Sequence, residues 1–254
     1  MGKLIVVASG KGGVGKTTVT ANISIALASL GYNVVAVDTD LGLRNLDLAL
    51  GLENSVIYDI VDAALKNCRI REAVIKEEKY GRLAFMPASQ FKDDVIVEFD
   101  KYKEVFLELK EKYDYVVIDC PAGIGDMVKN IIKISDMAII VANPDPYSLR
   151  DADKLAYIME ESGVKDIRLI INRMRKKLIF KGIMPDIRTI IESLAVRLLG
   201  VIYEDEKFVE CSIMGIPVVM DKKNKQQKAF MEIARRIKGE SIPITEISKK
   251  RFWK

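Results

Sequence analysis

The residues best suited to chemistry lie near the amino end, in "SGKGGVGKTT" from Ser9 to Thr18, where Lys11 and Lys16 stand in a glycine-rich run. Gly10 to Thr17 reads G-x-x-x-x-G-K-[ST], the pattern of a loop that wraps nucleotide phosphates. Gly12, Gly13 and Gly15 carry no Cβ, so the backbone can curl until successive N–H groups, those of Val14 and Thr18 among them, point at phosphate oxygens. Lys16 then reaches the β- and γ-phosphates, and the Thr17 hydroxyl ligates Mg²⁺. The competing reading is a glycine-rich turn that matches by accident. Context argues against it: the apolar run Leu4 to Ala8 precedes the loop, and the helical stretch "KTTVTANISIALASLG" follows, placing its positive dipole end beneath the anion. One lysine is enough to hold the phosphates in such a loop, which leaves Lys11 without an evident task.

A Mg²⁺ nucleotide also needs carboxylates nearby. "VVAVDTD" ends in Asp38 and Asp40, and "YVVIDCPAG" carries Asp119. In open α/β sheets ligands sit outside the carboxyl ends of the strands, so all three acids converge on the loop. A single Asp after a strand is as readily a helix N-cap or a turn former; three at neighbouring strand ends favour the ion-site reading. Asp119 is the expected Mg²⁺-side acid, acting through a water. The "PAGIG" segment after Cys120 could re-aim when the γ-phosphate leaves.

The elements that must position these groups are legible as alternation. Short apolar, β-branched runs begin at Lys3, Val34, Leu83, Tyr115, Met137, Ile167 and Leu198, and read as strands buried on both faces. Between them lie amphipathic segments of helical length: 16–30, 56–66, 98–112, 126–135, 148–162, 187–197 and 225–238. Such alternation predicts a doubly wound α/β fold around a mostly parallel sheet, with right-handed crossovers. The reading is one P-loop domain over residues 1–240 and a tail over 241–254, the last helix being broken by "GESIP" (from Gly239).

Composition removes several other chemistries. There is no histidine among the 254 residues, so His-based triads, metal sites and pH sensors are absent. Three widely spaced cysteines (Cys68, Cys120 and Cys211) make neither a disulfide framework nor a metal-ligand pair, and point to a reducing, cytoplasmic setting. No run approaches the ~18 apolar residues of a membrane span. The net charge is +4, and the last six residues hold Lys249, Lys250, Arg251 and Lys254 with no acid. The body is therefore neutral and the tail basic.

With both lysines in view, "KGGVGKTT" resembles the deviant Walker A signature of the ParA/MinD family of P-loop ATPases. The resemblance runs on through "VDTDLGLRNLDLALGLENSVIYDIVD" (from Val37), "MPAS" (from Met86), "VIDCPAGI" (from Val117), "SLRDADK" (from Ser148), "INR" (from Ile171) and "GVIYEDE" (from Gly200). It lies closer to the septum-site branch of that family than to the plasmid-partition branch. The resemblance implies a homodimer formed on ATP binding, in which Lys11 crosses to the phosphates held by the partner subunit. It implies slow ATP hydrolysis, with Lys11, Lys16 and Asp40 as the catalytic set, Asp40 orienting the attacking water and Asp38 alongside. Asn172 and Arg173 fall where the family contacts adenine, and Arg44 and Asp151 on surfaces it uses for dimer and regulator contacts. It further implies recruitment of a MinC-like division inhibitor and timing by MinE or another topological regulator. One departure is Tyr203, which stands where family members commonly carry proline and puts the base contact there in question.

The tail can be read from its own residues. Ile244, Ile247 and Phe252 fall near helical spacing, with Trp253 beside them and Lys249, Lys250, Arg251 and Lys254 around them, as in a helix that lies in a membrane surface. The bland alternative is a solvated basic terminus; the family resemblance favours the membrane. Four bases near an anionic leaflet give roughly 4 kcal/mol. Partial apolar burial adds about 3–5 kcal/mol, less the cost of ordering the segment. One tail is then marginal, and two on a dimer gain an avidity of order 10²–10⁴. The expectation is a cytoplasmic protein, reversibly peripheral on the inner face of the cell membrane.

Two other classes compete. A DNA-partition ATPase shares the phosphate loop, but non-specific DNA binding needs basic residues spread over a face. A neutral body offers only a local stripe at Arg173, Arg175, Lys176 and Lys177, so DNA is an unlikely partner. Electron-carrying relatives share an iron–sulfur cluster across a dimer and need two convergent cysteines per chain, which the spacing here does not provide.

Overall fold

The computed structural model describes residues 1–90 and 97–244. The calls on Ile247, Lys249, Lys250, Arg251, Phe252, Trp253 and Lys254 lie outside the described residues; Ile244 is the last residue inside them. Eight strands form one sheet: β1 (Lys3–Ala8), β2 (Val34–Asp38), β3 (Ile75–Lys76), β4 (Leu83–Met86), β5 (Tyr115–Asp119), β6 (Met137–Ala142), β7 (Ile167–Met174) and β8 (Arg197–Tyr203). Their order is β3-β4-β2-β5-β1-β6-β7-β8, and every pairing is parallel except the antiparallel contact of β3 with β4. The seven parallel strands are those expected from the apolar runs. β3, two residues long and on the edge, is an addition that so short a segment could not announce.

Helices cover both faces. On one lie α1 (Lys16–Ser29), α2 (Leu46–Leu50) and, late in the chain, the helix Lys225–Ile237. On the other lie α3 (Ile60–Ala64), α4 (Ile70–Ala73), α5 (Phe99–Lys112), α6 (Asp126–Ile134), α7 (Pro146–Glu161), α8 (Lys176–Phe180) and α9 (Ile187–Leu194). α10 (Lys207–Ile213) follows β8, and Lys225–Ile237 is then α11. α1 is buried over almost its whole circumference because it lies between the sheet and both α2 and α11, so it carries apolar or small residues all round. Val6 and Ile118 face the α5–α7 core, while their neighbours Ile5, Val7 and Val117 face the α1 core, the alternation a doubly covered parallel sheet requires.

Several predicted bounds shift. The helix expected over 56–66 is Ile60–Ala64, started by a capping box in which Asp59 accepts from Val61 and Asp62 N–H groups and Asp62 answers the Asp59 N–H. The helix expected over 187–197 ends at Leu194, because Ala195 takes a left-handed φ of 48° and the chain turns into β8 at Arg197. α2, α4, α8 and α10 were not expected at all. At the end of the domain Arg236, buried, donates to the Ile242 and Pro243 carbonyls and to Leu199 of β8, so residues 242–243 are tied to the body.

Candidate functional site

Sheet order gathers the candidate residues. β5 lies between β2 and β1, so Asp38 and Asp119 are register partners at the carboxyl edge, beside the loop that leaves β1. That loop is locked by its glycines in two places. Gly15 has φ 92°, and a Cβ there would come within 2.4 Å of Asn172 Nδ2. Gly10 is closed in by Asp151 of α7, whose Cβ would lie 2.5 Å from an added methyl. Gly12 has no such neighbour, its nearest being Ala122 Cβ at 3.9 Å. Its bareness therefore answers to no close atom of the described residues.

Asn172, at the end of β7 and 7% exposed, donates from Nδ2 to the Val14 carbonyl at 2.7 Å and accepts the Arg173 N–H on Oδ1 at 2.9 Å. It braces the phosphate loop from across the sheet. Arg173, held by that bond at a left-handed φ of 56°, turns its exposed side chain over the cleft.

Asp119 organises the centre. Its carboxylate accepts from Lys16 Nζ at 2.9 Å, Thr17 Oγ1 at 2.7 Å and Thr20 Oγ1 at 2.9 Å, and its carbonyl accepts from Thr39 Oγ1 at 2.8 Å. Lys16 and Asp119 are 7% and 1% exposed. Burial works against the Lys16 charge, but the adjacent Asp119 more than offsets it, so the ammonium stays protonated with its pKa above the ordinary value. Thr20 is a residue that motif reading passed over; a hydroxyl one turn after Lys16 was its signal.

The two acids after β2 differ. Asp38 is fully buried, and its oxygens accept the N–H groups of Asp40 at 2.9 Å and of Leu46 at 3.0 Å. Burial first, and the Asp119 charge second, push its carboxyl up to about 7. Asp38 thus anchors the turn that carries Asp40, while Asp40 itself lines the cleft. Among the described residues no three His, Cys, Asp or Glu side chains form a metal cluster. A Mg²⁺ ion here would draw on the Thr17 hydroxyl, on phosphate oxygens and on Asp119 or Asp40 through water, a fit for a hard cation that keeps part of its hydration.

The cleft above the loop encloses ≈ 420 Å³, lined by Gly12, Gly13, Thr17, Asp40, Leu43 and Arg173 among others. A second recess of ≈ 350 Å³ adjoins it and shares Gly15, Thr18, Arg173 and Ser212. Its far wall is Asp205, Phe208 and Val209, from the β8–α10 turn and α10. A charged end and a half-apolar end in series suit a phosphate chain and a flat base. The α10 wall was missed from sequence, although its place just beyond the carboxyl end of β8 was a usable signal. Tyr203 borders the recess, but its ring packs on the opposite, α8 side of the sheet, with Lys176 Nζ 4.8 Å from the ring centroid. The side chain that stands at the family's proline position is thus directed away from this recess.

Lys11 is set apart from this group. Its ammonium pairs with Asp145, the N-cap of α7, at 3.3 Å, and the two side chains are 39% and 41% exposed. Arg44, with φ 44°, is instead built into the α2 turn through Asp47 and the Glu53 carbonyl. Cys120 is fully buried, which pushes its thiol up to about 12, and Cys68 and Cys211 are half-buried on other elements. Arg175 of the basic stripe is paired with Glu204.

Comparison with known proteins agrees with this geometry. The AAA domain family matches residues 2–178. The septum site-determining protein MinD of Bacillus subtilis is 45% identical over 246 residues, covering 96% of this chain and 92% of that protein. The solved MinC:MinD cell division complex of Aquifex aeolicus contains a chain that superposes with a TM-score of 0.90 at 38% identity, covering 96% and 98% of the two chains. MinD of Pyrococcus horikoshii, solved with Mg-ADP, superposes with a TM-score of 0.80 at 31% identity, covering 94% and 97%. A buried Lys16–Asp119–Thr17 centre under a two-lysine glycine loop, on this sheet and among these relatives, means that the chain belongs to the MinD family of P-loop ATPases.

Proposed function

We propose that the chain is a Mg²⁺-dependent ATPase switch acting in placement of the division septum. ATP binding joins two copies, the pair holds the inner membrane surface through the tails, and hydrolysis releases it. The names of the relatives support the septum role, and the solved complex of one of them with MinC supports recruitment of a MinC-like inhibitor. A relative solved with Mg-ADP supports the nucleotide and the ion. MinE or another regulator, as the timer of hydrolysis, rests on the family resemblance.

The observation that carries the reading is the position of Lys11. It lies outside the residues lining its own cleft, half-exposed, and among the described residues its ammonium is held by a screened contact with Asp145, worth under about 1 kcal/mol. A second copy across the cleft gives it a phosphate to neutralise. The rim around the cleft is exposed and apolar, with Leu43 65% and Ile213 82% accessible, as suits a surface that another copy covers.

Within one subunit the parts then have distinct work. The loop N–H groups and Lys16 bind the phosphates, and Thr17 offers its hydroxyl to the ion. Bound Mg²⁺ would neutralise charge on the β- and γ-phosphate oxygens. Asp119 keeps Lys16 charged and Thr17 aimed. Asp40, its backbone fixed by Asp38, holds the water that attacks the γ-phosphate. Asn172 keeps the loop open at the base end, and Arg173 spans both recesses.

Liposome sedimentation tests the switch. Anionic vesicles should pellet the protein with ATP and leave it in the supernatant with ADP, and deleting Thr245 to Lys254 should abolish the pelleting seen with ATP. Equal pelleting in the two nucleotides would refute the proposal.

A further inference from the structure

At the opposite edge of the sheet, away from the nucleotide, a recess of ≈ 940 Å³ opens beside the amino ends of β2, β4 and β5. A neighbouring hollow of ≈ 740 Å³ runs along α5 below the α3–α4 turn. Both are lined by Arg69–Glu72 and Lys112, so they make one trough crossed by that segment. Its floor is apolar: Ile70, Val74 and Tyr113 line it half-buried, with Leu83 and Leu109 buried beneath them.

Charge on the walls is unequal. Glu72, Glu104 and Glu108 are each taken by a neighbouring base, namely Arg69, Lys66 and Lys112. Arg71, Lys76, Arg82 and Lys101 are exposed on the trough and make no ion pair with any described residue. Among the described residues the remaining lining acid is Glu77, which accepts the Lys79 N–H. A protein whose body is neutral overall thus concentrates uncompensated positive charge over an apolar floor, at a place its phosphate chemistry does not use.

We infer that this trough is a docking site for an acidic peptide segment of a partner protein, with carboxylates spaced by apolar side chains. The apolar groups would cover the half-buried Ile70, Val74 and Tyr113 while the carboxylates meet Arg71, Arg82 and Lys76, guanidinium groups being suited to bidentate carboxylate recognition. A nucleic acid fits less well, because a backbone charged at every step would lie against Glu72, Glu77 and Glu108 as well. The trough lies across the sheet from the cleft, so its occupant can stay bound through a nucleotide cycle.

The test is fluorescence anisotropy of a short labelled peptide in which Glu and Asp alternate with Leu, titrated with the full chain. The double variant Arg71→Glu/Arg82→Glu should weaken binding at least about tenfold, as expected for reversing close charge pairs. ATPase rate and melting temperature should stay unchanged, and Lys177→Glu on α8 should leave binding as it was. Should the reversed variant unfold, Arg71→Gln/Arg82→Gln answers the same question with a smaller loss in the same direction. Absence of binding, equal binding by the charge variants, loss on Lys177→Glu, or tighter binding of a single-stranded DNA competitor would each overturn the proposal.

Discussion

Bracing of the phosphate loop by Asn172 can be tested as a coupling energy between Asn172 and Gly15. Gly15→Ala places a methyl in a left-handed residue, costing about 1–2 kcal/mol. It also drives that methyl to 2.4 Å from Asn172 Nδ2, so the amide must swing away from the Val14 carbonyl. Leaving that buried pair unmade costs about 1–3 kcal/mol more. The single change should therefore cost about 2–5 kcal/mol in all. Asn172→Ala alone loses the same hydrogen bond and should cost about 1–3 kcal/mol. In the double variant the bond is lost only once, so the two effects should fall short of additivity by about 1–3 kcal/mol. Urea unfolding without nucleotide, on all four proteins, measures this directly; melting should follow at about 2–4 °C per kcal/mol. Additivity within about 0.5 kcal/mol, or a Gly15→Ala protein as stable as the parent, would refute the brace.

Other expectations follow from the same centre. Asp119→Asn leaves the buried Lys16 ammonium without its counter-ion and should destabilise by about 3–5 kcal/mol, read by the same unfolding assay; an unchanged midpoint would contradict the assigned role. Asp38 gives a pH signature. Its folded-state pKa is raised from 3.8 to about 7, so on raising the pH the unfolded chain ionises first and stability falls between those values, then levels off. Asp38→Asn should remove that fall, and unfolding free energies with parallel pH slopes in the two proteins would dismiss it.

The sheet was legible because a parallel strand covered on both faces must be written as a continuous apolar run, and "VVAVD" or "YVVID" fits nothing else of that length. The phosphate loop was legible because its chemistry is local: strand, glycines, lysine and threonine follow one another in the chain. What sequence could not supply was of two kinds. α2, α4, α8 and α10 are four to seven residues long, too short for a periodicity to establish itself, yet α10 walls the second recess beside the phosphate loop. The rest depends on partners brought together only by folding. Asn172 reaches Val14 from β7, Lys11 finds Asp145 at the N-cap of α7, and Tyr203 faces away from the α10 recess because β8 alternates as it does. Asp38 and Asp40 look alike in sequence; only burial separates the anchor from the acid that faces the cleft.

The central claim is that Lys11 belongs to a phosphate bound by a second copy, and light scattering on hydrolysis-blocked Asp40→Ala protein tests it most directly. With ATP the mass should be twice the 28.5 kDa of the single chain, and adding Lys11→Ala should return it to that of one chain while ATP is still bound. A dimer that persists without the Lys11 ammonium would contradict the account.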